Sequence, residues 1–476
     1  MPAIDFFIIN KQFKKLLTSF FIFLLLVLKV EAQSNSDSAY AMPLKEVLAE
    51  VQQRYSITLR FDSSLIDGKI LPYARWRYRA DVEETLKNIL APFDLMARRD
   101  GTKRYKIGNY EYYRWQPQDG WAELDRIAAH YNNLEEWQHR KEKLKSCLLH
   151  ALRLSKLPTY PLSKPIETPV RKYRGYTVSN IAIEILKGVW INGSIYRPDK
   201  IKGKVPVILN PDGHWQDHRF RADCQLRCAA FAKMGAIAIS YDLFGWGESE
   251  LQFKYEDHRK ALAQTIQILG AIRILDYLLS LKEGDTSRVA ITGGSGGGSH
   301  TILMTAIDDR IKVSAPVVSV SSYFYGGCPC ESGMPIHLCE GGTNNVEIAA
   351  MAAPRPQLLI SDGADWTDKM PEHDFPYLQK IYQWYDRKDH VENVHFPEGK
   401  HDFNIEKREA VYRFMAKHLG LNMNAILDRN GNIDESDITI EKKTDMYVFG
   451  EKGERLPAHA VMGFDNLRKV FEEAIK

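Results

Sequence analysis

Residues 293–298 read Gly-Gly-Ser-Gly-Gly-Gly, directly after the apolar run Val289–Thr292 and just before a helical stretch, His300–Ala306. A chain that passes from strand to helix within so few residues must turn through backbone conformations that side chains obstruct. Glycine at the flanking positions removes the obstruction, and the serine is left on a strained turn with its hydroxyl exposed. This is the G-x-S-x-G nucleophile elbow in the strand-turn-helix setting it requires. The N-terminus of the following helix also aims free N–H groups at the site. A flexible Gly/Ser loop is the bland alternative. A phosphate cradle of the Walker type needs Gly-Lys-Ser/Thr, which this segment lacks.

An elbow of this kind needs a sheet beneath it, and the rest of the chain supplies one. Ile181–Ile185 and Val189–Tyr196 read as an opening antiparallel pair. Val205–Asn210, Ala236–Tyr241, Val289–Thr292, Val313–Val320, Gln357–Ser361 and Val391–Phe396 are short apolar runs, with a long helical stretch over 256–282 among them. Strands alternating with helices predict a doubly wound, mostly parallel α/β sheet covered on both faces. Its functional loops then lie at the carboxyl ends of the strands.

A serine nucleophile needs a base, and the chain order in this fold is serine, acid, histidine. Of the fourteen histidines, His401 stands just after the last strand, in Glu-Gly-Lys-His-Asp-Phe. It is the expected base, with His395 in the preceding strand as its rival. His300 is near Ser295 in sequence, but on the helix after the elbow its side chain need not face the nucleophile. The acid belongs between Ser361 and His401, where Asp362, Asp365 and Asp368 stand, and Asp365 is favoured. Its role is to hold the imidazole tautomer and stabilise the imidazolium. Glu331 is the outside candidate, and it is also a candidate for the substrate pocket.

An oxyanion hole needs two backbone donors. Gly296 supplies one, and the loop Pro-Asp-Gly-His-Trp after Val205–Asn210 is expected to supply the other from the His214 N–H. Trp215 and Trp246 are candidate pocket walls. Trp246 lies in Asp-Leu-Phe-Gly-Trp-Gly-Glu-Ser, a D-x-x-G-x-G-x-S turn read as structural. Arg219 and Arg221 are candidate basic groups at the pocket mouth, the alternative being two solvated arginines.

From about residue 114 onward the chain resembles the acetylxylan-esterase-like group of bacterial α/β hydrolases. The resemblance is carried by GGSGGGSH around Ser295, GGCPCE at 326–331, GGTNNVEIAAMAAPRPQLLIS at 341–361, DWTD at 365–368 and the His401 segment. It implies a secreted esterase acting on decorated polysaccharide, among relatives that include acetyl esterases and pectin-type methylesterases. It also carries the aspartate of DWTD over as the triad acid by position.

The N-terminal part has a different character. Lys11, Lys14 and Lys15 precede the apolar run Leu16–Leu28, too short to span a bilayer comfortably, and Val30-Glu31-Ala32 suits cleavage. Residues 1–32 read as a secretory signal peptide, with no stable membrane insertion after cleavage. Over 41–110, helical and alternating apolar patterns follow in the order βαββαβ, resembling the short N-terminal domain of secretins and TonB-dependent receptors. The expected organisation is a signal peptide (1–32), a small α+β module (33–112), a helical lead-in (113–172), an α/β-hydrolase catalytic domain (173–420) and a C-terminal extension packed on it (421–476).

Composition narrows the function. With 64 basic against 61 acidic side chains, the chain lacks the basic footprint of a nucleic-acid binder. The cysteines are Cys147, Cys224, Cys228, Cys328, Cys330 and Cys339. Cys-Pro-Cys lacks the two-residue spacing of common zinc sites, so a loop-pinning disulfide or free thiols are expected there, with connectivity open. Asp428–Asp434 resembles a calcium loop, but Ile433 sits where an EF-hand needs Gly and Thr439 where it needs Glu. It is read as a polar turn.

The expected function is therefore a periplasmic or extracellular serine ester hydrolase with no cofactor and no metal. It would remove acetyl or methyl groups from plant or algal cell-wall polysaccharide of xylan or pectin type through an acyl-enzyme. The alternatives are a serine peptidase of the same fold and a non-catalytic polysaccharide- or receptor-associated binding protein. The N-terminal module carries no residues that suggest chemistry and is read as a small structural or docking module for an unidentified protein partner. N-terminal sequencing of the exported chain is expected to begin at Gln33; an exported product that retains the lysine-flanked apolar run contradicts the signal-peptide reading.

Overall fold

The computed structural model describes residues 40–156, 164–331 and 335–476. The signal-peptide reading (1–32) and the Pro-broken segment 157–162 fall outside the described residues. The chain divides into two compact units, Met1–Tyr112 and Tyr113–Lys476. Among the described residues, no helix is long and apolar enough to cross a membrane.

In the first unit, β1 (Met42–Pro43) leads into helix Leu44–Tyr55, then β2 (Thr58–Arg60), β3 (Ile70–Leu71), helix Val82–Leu90, β4 (Leu95–Arg99) and β5 (Arg104–Asn109). Strand β1 pairs antiparallel with β3. β5 lies between β2, to which it is parallel, and β4, to which it is antiparallel. Leu44, Val47, Leu48 and Val51 form the buried stripe of the first helix, the i, i+3, i+4, i+7 spacing of an amphipathic helix. The second helix is started by Asp81, whose carboxylate accepts the Glu84 N–H at 2.8 Å, a side-chain N-cap. The expected βαββαβ order gains one strand. β4 carries Arg98 and Arg99 and buries only Leu95 fully, so it offers no apolar alternation to read.

The second unit is built on a ten-stranded sheet. Its strands are β6 (Ile166–Glu167), β7 (Arg171–Tyr173), β8 (Tyr176–Leu186), β9 (Val189–Pro198), β10 (Val205–Pro211), β11 (Ile237–Tyr241), β12 (Gly284–Gly294), β13 (Val313–Val317), β14 (Gln357–Asp362) and β15 (Val391–Phe396). Their spatial order is β15-β14-β13-β12-β10-β11-β9-β8-β6, with β7 also on β8. From β15 through β11 the pairing is parallel, and β9, β8, β7 and β6 are antiparallel.

The central strands are apolar at consecutive positions because both faces are covered. Val207 and Leu209 of β10, Ile237 and Ile239 of β11, and Val289 and Ile291 of β12 enter one core. Ile208, Ala238 and Ala290, on the intervening positions, enter the other. This is the period-two alternation of a strand. Helices Ala263–Ser280 and Gly296–Ile307 fill the first face, and Ala222–Lys233 and Ile405–Leu419 the second. Strand β10 sits between β11 and β12, so the chain leaves it in one direction and returns on its other side. That reversal opens a crevice beyond the carboxyl ends of β10 and β12, where open α/β sheets bind ligands.

Four readings need adjustment. The sheet begins before residue 173, since β6 and β7 already pair with β8. The helix expected over 256–282 is broken: a 3-10 turn spans Tyr255–Arg259 and the α-helix runs over Ala263–Ser280. The lead-in helix Leu134–Ala151 is fastened to the unit, with Arg140 on buried Glu347 at 2.9 Å and a Cys147–Cys339 disulfide.

Arg219 is the fourth correction. Neither a pocket-mouth cation nor a solvated arginine, it is fully buried, with its guanidinium 3.1 Å from Asp242 and 3.0 Å from Glu248. It also donates to Ser194 Oγ (2.7 Å) and the Met446 carbonyl (3.0 Å). It therefore ties the D-x-x-G-x-G-x-S turn after β11 to the C-terminal segment, which the polar letters of the sequence do not announce. Removing one member of a buried charge cluster strands the others. Arg219→Met is expected to lower unfolding free energy by about 3–5 kcal/mol in urea denaturation. Arg174→Met, at a side chain 85% exposed, is expected to change it by less than about 0.5 kcal/mol. Equal effects of the two substitutions contradict the anchoring role.

Candidate active site

The site is assembled from the turns that follow β10, β12, β14 and β15. After β12 the backbone turns at Ser295, which adopts φ 54° and ψ −122° as the residue before helix Gly296–Ile307. A non-glycine residue there is strained by on the order of 1–3 kcal/mol. The turn is held by the Ser295 N–H donating to the Val317 carbonyl at 2.9 Å, and by the Ser295 carbonyl accepting from Gly298 (2.8 Å) and Ser299 (3.0 Å). The glycines are required by crowding. A Cβ on Gly293 would lie 2.6 Å from the Pro211 and Gly297 carbonyl oxygens. One on Gly297 would meet the Pro211 carbonyl oxygen, one on Gly298 would meet Ser319, and one on Gly296 would meet the His214 ring. The elbow and the loop after β10 are thus in backbone contact.

His401, in the turn after β15, lies between Ser295 and Asp365. Its Nε2 is 2.9 Å from Ser295 Oγ and its Nδ1 2.7 Å from Asp365 Oδ2. Asp365 stands in the turn after β14, with its side chain 2% exposed against 25% for His401. Its other oxygen accepts from the Thr367 N–H at 2.7 Å and the Thr367 hydroxyl at 2.5 Å, which orients the carboxylate toward the imidazole. The His401 ring packs between Trp366 and Trp215, with centroids 4.4 and 5.5 Å away.

The rival acids and bases are engaged elsewhere. Asp362 pairs with buried Lys407 at 2.5 Å, and Asp368 accepts the Tyr323 hydroxyl at 2.5 Å. Glu331 accepts from the Gly327 N–H at 2.7 Å and Ser299 Oγ at 3.3 Å. Burial raises its carboxyl above the ordinary glutamate value. His395 is bonded to Ser361 Oγ at 2.9 Å. His300 faces the Tyr241 hydroxyl at 3.1 Å, and burial pushes its imidazole down to about 3.

Around the serine, the structure brings together some pocket candidates and not others. Gly296 is the first residue of its helix, where a backbone N–H has no acceptor within the helix. The ring of His214 closes over it. Trp215 lies against His401, and the Arg221 guanidinium lies 4.7 Å from the Trp215 ring centroid. Arg221 is not solvated: it is 15% exposed and paired with Asp212 (3.0 Å) and Asp223 (2.8 Å). Trp246 is set behind the site, edge-on to His214 at 5.6 Å and against His258 at 5.6 Å.

Three neighbours escaped the sequence reading. Thr367, two residues beyond Asp365, matches the spacing of an Asp side-chain turn, a signal that was available. Trp366 simply follows the acid. His258 carried no local signal, because it lies in the segment read as continuous helix. Its Nε2 is 2.7 Å from His214 Nε2.

The chain is similar to several known proteins. Residues 187–340 match the family described as X-Pro dipeptidyl-peptidase (S15 family). Acetyl esterase Axe7A of Xylanibacter ruminicola is 28% identical over 25% of this chain, and the match spans 30% of that protein's length. The solved structure of Methylesterase BT1017 is similar over 91% of this chain and 97% of its own, with 47% identity and a TM-score of 0.82. The chain thus belongs to the family of Methylesterase BT1017 and is a carboxylic ester hydrolase of the α/β-hydrolase fold.

Proposed function

We propose that the protein removes methyl groups from the esterified uronate residues of a pectin-type polysaccharide, with Ser295, His401 and Asp365 as its triad. The observation that carries this reading is the unbroken line from Ser295 Oγ through His401 to Asp365, in a chain of the same family as a methylesterase. Exported action, in the periplasm or outside the cell, belongs to the same proposal.

In the first step Ser295 Oγ attacks the ester carbonyl carbon while His401 Nε2 accepts the hydroxyl proton. Asp365, held by Thr367, keeps Nδ1–H directed at itself and stabilises the imidazolium. The negative charge on the former carbonyl oxygen is met by the backbone N–H groups of Gly296 and His214. Collapse expels the methoxyl oxygen, which takes the proton from His401 and leaves as methanol. The uronyl group is then esterified to Ser295. Water attacks this acyl-enzyme while His401 takes its proton. As the acyl–Oγ bond breaks, His401 returns that proton to Ser295 Oγ and the uronic acid leaves, ionising to its carboxylate. Trp215 and Trp366 flank His401 and give the sugar rings an apolar surface. Arg221 acts on the site by supporting Trp215, since its own charge is already answered by two aspartates.

The S15-family match favours a second reading, amide rather than ester cleavage, because the same triad attacks both carbonyls. Incubation with methyl-esterified pectin, acetylated xylan and a panel of Xaa-Pro peptides separates the readings. Methanol release alone is expected. Acetate release alone would move the substrate to an acetylated polysaccharide, and peptide cleavage without either product would overturn ester hydrolysis.

Two substitutions test the roles. Ser295→Ala is expected to lower kcat by about a million-fold, and Asp365→Asn by about ten-thousand-fold, both with little change in thermal stability. Near-normal turnover in either variant contradicts the assignment.

A further inference from the structure

Behind the serine, four side chains from three separate segments converge on one point. His214 comes from the loop after β10, His258 from the 3-10 turn Tyr255–Arg259, and Cys328 and Cys330 from the loop beyond β13. His214 Nε2 is 2.7 Å from His258 Nε2, 3.1 Å from Cys330 Sγ and 3.5 Å from Cys328 Sγ. His258 Nε2 is 3.4 Å from Cys328 Sγ. All four atoms lie within 4.8 Å of one another, the only such convergence of three or more His, Cys, Asp or Glu side chains among the described residues.

The donor set is two imidazoles and two sulfurs, which zinc takes in tetrahedral structural sites. With zinc–nitrogen bonds of about 2.0 Å and zinc–sulfur bonds of about 2.3 Å, the edges of such a tetrahedron are about 3.3–3.8 Å. The imidazole–imidazole and imidazole–sulfur separations lie within about 0.6 Å of those edges, whereas the two sulfurs, joined in the structure, must part to reach theirs. The surroundings also suit a metal. His258 Nδ1 lies 2.5 Å from the Phe244 carbonyl oxygen, so that nitrogen carries the proton and Nε2 presents its lone pair to the cluster. His214 Nδ1 is 3.7 Å from Glu331 Oε1. A carbonyl bonded behind an inward-facing imidazole is the outer partner that metal-bound histidines use, and the Glu331 carboxylate lies near the second ring without a hydrogen bond to it. His258, Cys328 and Cys330 are all under 5% exposed, so the point of convergence is shielded from water. The Cys-Pro-Cys spacing argued against zinc only while the histidines were uncounted.

We propose that the reduced chain binds one zinc ion through His214 Nε2, His258 Nε2 and the thiolates of Cys328 and Cys330. The four ligands fill the tetrahedron, so the ion pins three loops behind the Gly296–His214 wall and takes no part in ester cleavage. In the structure the two sulfurs are joined as a disulfide, which is the competing state. A dithiol delivers two electrons and two protons to that bond, leaves as its own disulfide and gives two thiols. Zinc then displaces both thiol protons.

The test is metal retention, which reads out independently of ester hydrolysis. The chain is reduced with excess dithiothreitol under nitrogen, loaded with zinc chloride, gel-filtered and assayed by mass spectrometry for metal. One zinc per chain is expected, falling to background in Cys328→Ser/Cys330→Ser. Cys224→Ser/Cys228→Ser, at the two buried free cysteines, is expected to retain the metal. No retained zinc in the unsubstituted chain, or equal retention in the Cys328/Cys330 variant, overturns the site. Should that variant fail to fold, cobalt loading of the unsubstituted chain decides. A thiolate-to-cobalt charge-transfer band with the intense visible bands of a tetrahedral ion supports the proposal, and their absence overturns it.

Discussion

The contact between two backbones, the elbow at Ser295 and the Pro211–His214 loop, is the constraint on which the rest of the site depends. Gly293, Gly296 and Gly297 leave no room for a side chain between them. That closeness brings the helix N-terminus at Gly296 and the neighbouring loop up against each other beside Ser295. The positive φ of Ser295 is the other half of the constraint. It costs folding energy locally, and the central sheet offsets it: β12 is flanked on both sides by parallel neighbours, β10 and β13.

The remaining parts are delivered by the order of the strands. Because β10 and β12 are neighbours with opposite onward connections, their carboxyl-end turns face each other across the switch point. β13, β14 and β15 then place successive turns along the same edge, so Asp365 and His401 arrive beside Ser295 from positions distant in sequence. Their alignment is stiffened by Thr367 on one side and by Trp366 and Trp215 around the ring. Behind this front, Arg219 with Asp242 and Glu248, and Lys407 with Asp362, are buried ion clusters that fix the turns after β11 and β14.

How much of this was legible in the sequence follows from the range of each signal. The elbow is local: five glycines and a serine after a strand have few other uses. The parallel sheet was legible because strands buried on both faces are apolar throughout, and His401 because strand ends are countable. What depended on tertiary burial was not legible. Arg219 looked like a surface cation, since nothing near it in sequence shows that Asp242 and Glu248 close over it. The strands at 95–99, 166–167 and 171–173 are short and carry charged residues. The meeting of His214 and His258 with Cys328 and Cys330 joins segments 44 to 116 residues apart, for which a single sequence holds no periodic or spacing signal.

The central claim, that the Ser295–His401 pair forms the reactive nucleophile, is tested most directly by labelling the intact chain with a fluorophosphonate and mapping the adduct by peptide mass spectrometry. The account predicts a single adduct on the peptide bearing Ser295, forming orders of magnitude more slowly in His401→Ala, because the hydroxyl then lacks the base 2.9 Å away. An adduct on another serine, or labelling of Ser295 at an unchanged rate in His401→Ala, would contradict it.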